Sequence, residues 1–163
     1  MRRATFITAA VVALALAQGC AEPAPLDESA DFKTVPARGW AYGDTFEYTP
    51  DLADSIGKSR IAIAVRHTDG YLYSNVWLEL ATPVAGTDSM AVDTINIPLA
   101  DVYGKWYGRG VGVSYVTTDT LPAPYGYDKS RPVKLRHIMR VDTLADIEQV
   151  GVIFLPLTHD TAY

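Results

Sequence analysis

Ile61, Ile63 and Val65 alternate with Ala62, Ala64 and Arg66, and this period of two returns down the chain from about residue 32. A strand turns successive side chains to opposite faces, so each such run has one apolar face to bury. The device recurs with Val76, Leu78 and Leu80, with Ile95, Ile97 and Leu99, and with Val111, Val113 and Tyr115. It continues through residues 133–141 and 150–155, and a short run at 45–49 reads as the first strand. Many short strands separated by turn residues, each with one apolar face, are satisfied when two sheets pack face to face. The expectation is an all-β, two-sheet β-sandwich of the jelly-roll kind. One helical signal stands out: Leu144 and Ile147 lie three apart, which predicts a short helix over 142–149, before the last strand.

The N-terminus follows another logic. Arg2 and Arg3 precede a nearly unbroken apolar stretch from Ala4 to Ala17, which has the order of a secretory signal. Leu16-Ala17-Gln18-Gly19-Cys20 then looks like a bacterial lipobox, with Ala17 at a position where a larger apolar residue is usual. Cys20 is the chain's single cysteine, so it has no intramolecular disulfide partner. The reading is a signal over residues 1–19 and a lipidated cysteine at the head of a flexible tether over 20–31. The folded domain then occupies 32–163. The tether holds Pro23, Pro25 and the acids Glu22, Asp27 and Glu28, too little apolar bulk to offset the entropy of ordering. Acyl chains on one cysteine anchor a protein to a membrane without a spanning helix. No other cofactor is expected.

Charge narrows the partners. The 163 residues carry 14 Lys and Arg against 19 Asp and Glu, a formal −5. Loss of Arg2 and Arg3 with the signal leaves 12 against 19, a formal −7. An acidic domain of this kind is not built to bind nucleic acid.

No spacing nominates catalysis. His67, His137 and His159 are scattered, without a second ligand at zinc-enzyme spacing, and no metal is expected. A Gly-x-Ser-x-Gly elbow is absent from the sequence. The segment from Tyr103 to Gly112 is rich in glycine, but Gly104-Lys105 runs into Trp106 and a strand pattern rather than into the Ser/Thr and helix of a phosphate loop. Tight glycine turns are expected there. The chain is therefore not expected to be an enzyme. Tyr71, Tyr73 and Trp77, with Trp106 and Tyr107, form two aromatic clusters that suit either core packing or an interaction surface. By alternation Trp77 faces away from Val76 and Leu78.

Several segments, in order, resemble the gliding-motility lipoproteins called GldH. They are the lipobox at Cys20, then Gly39-Trp40 with Asp44, Phe46 and Asp51, and then Tyr71 to Trp77, where the family usually has Tyr-Pro-Tyr-Ser-Asn-Leu-Trp. Gly104 to Gly110 follows, and then Met139-Arg140, Leu144, Ile147 and Val150-Gly151. Leu72 stands where that motif has proline. The resemblance implies a non-catalytic lipoprotein of the Bacteroidetes outer membrane, associated with the gliding machinery and linked to type IX secretion. Relatives also occur in bacteria that do not glide, so an envelope role is implied more firmly than motility. The expected partners are envelope proteins, met through the aromatic clusters. The alternative is a carbohydrate-binding module that recognises a glycan through the same aromatics.

Overall fold

The computed structural model describes residues 29–49, 51, 58–122, 125–128 and 130–156. Cys20, the signal segment and most of the expected tether lie outside the described residues. Among the described residues twelve strands occur, all paired antiparallel: β1 (Ser29–Thr34), β2 (Trp40–Ala41), β3 (Phe46–Tyr48), β4 (Lys58–Thr68), β5 (Asn75–Pro83), β6 (Met90–Pro98), β7 (Arg109–Val111), β8 (Ser114–Thr120), β9 (Tyr125–Gly126), β10 (Val133–His137), β11 (Thr143–Leu144) and β12 (Ile147–Pro156). One sheet runs β1-β12-β4-β8-β7, with β9 also on β4, and the second runs β3-β10-β5-β6. A small third ladder joins β11 to β2.

The sandwich follows from the alternation. Ile61, Ile63 and Val65 of β4 are fully buried, and register places them beside Phe154, Val152 and Val150 of β12. The facing sheet contributes Val76, Leu78 and Leu80 of β5, Ile97 of β6, and Val133 and Leu135 of β10, all fully buried. Each such side chain stabilises the fold by about 1.5–3 kcal/mol relative to exposure. Tyr48 crosses between the sheets: its hydroxyl donates to the Val150 carbonyl at 3.0 Å.

Three expectations need correction. The described residues contain no helix: 142–149 divides into β11, a turn and the start of β12. Leu144 and Ile147 are both buried, and Asp146 between them has φ 63°, a left-handed residue that reverses the chain and ends any helical run. The run 111–116 is a hairpin rather than one strand. Gly112, at φ 64°, separates β7 from β8, which leaves Val111 and Val113 85% and 59% exposed. The strand expected over 133–141 ends at His137.

The start of the sandwich also differs from the expected boundary at 32. β1 begins at Ser29 and pairs with β12 from Ser29↔Phe154 to Thr34↔Gln149. Asp31 and Lys33 share the inward parity of this edge strand and form an ion pair at 2.8 Å, with the Lys33 ammonium 5.6 Å from the Tyr48 ring. Phe32 turns outward and lies on Gly151, where a Cβ would overlap its ring.

Candidate interaction surface

Trp77 stands on the outer face of β5 and is 42% exposed, as alternation predicts. Its cross-strand neighbour on β6 is Asn96, whose side-chain oxygen accepts from the Asn75 amide at 2.6 Å. On the other side the chain leaves β10 and runs along Trp77. The Ile138 N–H donates to the Trp77 carbonyl at 2.9 Å, and the Trp77 N–H donates to the Met139 sulfur at 3.3 Å. Between them lies a cleft of about 610 Å³, floored by Trp77 and Tyr73, walled by Ile138 to Val141 and bordered by Asn75. A shallower hollow of about 280 Å³ lies along the same wall and adds Tyr42 and Asp142. The cleft has the size of a binding site, and its wall is tied to the Trp77 backbone by one backbone bond and one bond to the Met139 sulfur.

Away from the cleft the same face becomes charged. Arg136 grips Glu79 through two bonds of 2.7 and 2.8 Å, and Lys134 meets Glu47 at 2.9 Å. The Arg136 hydrogen bonds hold the Glu79 carboxyl below its ordinary range, and the guanidinium lies 5.7 Å from the Tyr42 ring. An apolar floor with a polar, ion-paired border is the usual anatomy of a recognition surface.

The structure divides the five aromatic candidates. Tyr73 and Trp77 line the cleft. Tyr71 is only 4% exposed, and its hydroxyl donates to the Asn75 carbonyl at 3.1 Å. Trp106 is half-buried with its ring 4.5 Å from that of His67, and Tyr71 and Tyr115 pack on the same histidine. Tyr71 and Trp106 therefore belong to a core cluster. Tyr107 is exposed beyond the cleft. The sequence reading missed the wall formed by Ile138 and Val141. The strand pattern over 133–141 hides it, because burial goes on alternating past the end of β10, with Met139 buried and Arg140 exposed.

Both described histidines are buried. The His67 Nδ1 donates to the Thr68 carbonyl at 2.8 Å, while Nε2 faces the aromatic cluster without a partner among the described residues. His137 packs edge-on against Trp40 and Tyr42 at 5.3 and 5.7 Å. Burial lowers its pKa, so it is neutral at pH 7. Among the described residues, no three His, Cys, Asp or Glu side chains come together as a metal-ligand set.

A family model described as GldH lipoprotein matches residues 28–153, from one residue before β1 into β12. The chain belongs to the GldH lipoprotein family. A member of this family is a lipid-anchored lipoprotein of the cell envelope, associated with gliding motility. The matched span contains every residue of the cleft and both sheets up to Ile153 of β12. A search of curated proteins returns no match. Among the described residues, no helix is long and apolar enough to cross a membrane.

Proposed function

We propose that this GldH lipoprotein is held at the outer membrane by lipid on Cys20 and acts without catalysis, by docking another envelope protein in the Trp77 cleft. The observation that carries the reading is the pairing of an exposed indole with a wall hydrogen-bonded to the Trp77 backbone. A large aromatic left 42% exposed beside the ion pairs of its sheet face is a candidate anchor, because burial by a partner removes its remaining apolar surface from water. The lipobox and the acidic tether support the anchor.

The test is cross-linking in the native envelope with wild-type protein and Trp77→Ala. Loss of the cross-linked partner from the folded variant is the expected result. Recovery at the wild-type level removes the cleft from the function. A second reading keeps support from the same indole, which sits beside the Asn75 side chain as a sugar-stacking aromatic sits beside polar groups. Reproducible glycan-array binding that Trp77→Ala abolishes would favour that reading.

A further inference from the structure

The outer edge of β6 offers a second surface, separate from the Trp77 cleft. The backbone of Trp77 faces β10, since Ile138 N–H donates to its carbonyl and its own N–H reaches the Met139 sulfur. Backbone direction alternates along a strand, so Val76, Leu78 and Leu80 turn their N–H and C=O groups toward β6. Their partners there are Ile97, Ile95 and Asp93. The alternate residues Met90, Val92, Thr94 and Asn96 thus point their backbone groups at the other edge, where no described strand pairs with them.

The remaining sheet edges are short or self-compensated. β3 and β7 have three residues each, and the inward Asp31 of β1 is paired with Lys33. β6 has nine residues, with Val92 58% exposed. Its own inward carboxylate, Asp93, meets the Tyr125 hydroxyl but, unlike Asp31, is in no ion pair with a Lys or Arg among the described residues, and a long edge of this kind accepts an added strand that brings the counter-charge.

Charge selects the occupant. Asp93 is the one charged residue of β6, Asp101 lies in the turn that follows, and the sequence from Ala81 to Gly104 contains no Lys or Arg. Asp101 uses its carboxylate to accept from the Tyr103 and Lys105 backbone N–H groups at 2.9 Å each. The nearby cation at the Met90 end is Arg131, which donates to the Thr87 and Asp88 carbonyls at 2.7 and 3.1 Å. A second copy of this acidic chain would add another Asp93 to the same edge. We infer that β6 accepts an extended, lysine- or arginine-bearing strand of a partner protein, which completes the ladder at Val92, Thr94 and Asn96 and sets a basic side chain beside Asp93.

Amide hydrogen exchange on the full chain in detergent tests this, with a capped, strand-length peptide of alternating threonine and valine carrying central lysines as the probe. A glutamate counterpart serves as control. The expected result is slowed exchange at Val92, Thr94 and Asn96 with the lysine peptide only, in wild-type and in Trp77→Ala alike. Thr94→Pro removes an N–H that β5 does not use, and it should weaken the peptide by about tenfold or more while Ala91, Asp93 and Ile95 stay protected. Asp93→Asn, which keeps the backbone intact, should weaken it by about two- to fivefold. The inference is overturned by absent protection, by protection at Ile138 to Val141 instead, or by equal binding of the glutamate peptide. Unchanged affinity in Asp93→Asn, or protection that grows with protein concentration without peptide, also overturns it.

Discussion

Trp77 and Trp106 look alike in sequence, and truncating each to alanine separates an anchor from a core residue. Trp106 is enclosed by His67, Tyr71 and Tyr115, and its removal leaves a hole in that cluster. Fully buried Trp→Ala changes cost about 3–5 kcal/mol, so a half-buried Trp106 should cost about 3. Trp77 hides little more than half its surface and opens on solvent, which fills the space it vacates. Without a cavity, its loss should cost about 1–2 kcal/mol. With a urea slope of about 2 kcal/mol/M, the two midpoints should differ by about 0.5–1 M. Urea titration followed by fluorescence is suitable, because the fully buried Trp40 remains in both variants as a core reporter. In binding the order reverses: Trp77→Ala should lose about 2 kcal/mol or more of partner affinity, roughly thirtyfold. If Trp77→Ala destabilises as much as Trp106→Ala, then Trp77 is structural and the assignment of the cleft fails.

Other outcomes follow from single contacts. Gly108→Ala places a Cβ on the Val116 carbonyl oxygen at a φ of 80°, so thermal melting should show a loss of about 2 kcal/mol or more. An unchanged melting temperature would mean that the β7–β8 hairpin is not held as described. Tyr48→Phe deletes the hydroxyl's bond to the Val150 carbonyl, which keeps its place in the β1–β12 ladder, so the loss should be about 0.5–1.5 kcal/mol in chemical denaturation. Because Arg136 lowers the Glu79 pKa, this pair stabilises the fold above the carboxyl's ordinary value of 4.5, and the contribution is lost as pH falls below it. Melting temperatures of wild-type and Glu79→Gln should therefore converge in acid, and a constant gap from pH 7 to pH 3 would contradict the linkage. Cys20→Ser should shift the protein from the membrane fraction to the soluble one, and continued membrane retention after an alkaline wash would argue against the anchor.

Core strands were legible because one face of each is wholly apolar. Ile61, Ile63 and Val65, or Val76, Leu78 and Leu80, declare their direction without help from distant residues. The outward turn of Trp77 followed from the same parity. What escaped the alternation has physical causes. β1 carries Asp31 and Lys33 on its inward side, which an edge strand tolerates because solvent still reaches them, so its sequence resembles a tether. Leu144 and Ile147 have helical spacing, yet they are buried from two different strands joined through Asp146. Whether Tyr71 and Trp106 are core or surface depends on His67 and Tyr115, which register brings opposite each other across β4 and β8. The cleft wall at Ile138 to Val141 is likewise set by where β10 stops, which local pattern does not encode.

The pairing of β1 with β12 bears on how the protein carries load. Cys20 and Ser29 are nine positions apart, and a fully extended chain of that length reaches about 30 Å. With lipid on Cys20, as proposed, a pull between the membrane and a partner held by the second sheet would enter the described fold at Ser29, and its component along β1 would load the ladder to β12. The ladder from Ser29↔Phe154 to Thr34↔Gln149 then resists in shear, with its rungs loaded together, rather than peeling one at a time. On the proposed anchor, the edge strand that least resembles part of a core would be the mechanical coupling between lipid and sandwich.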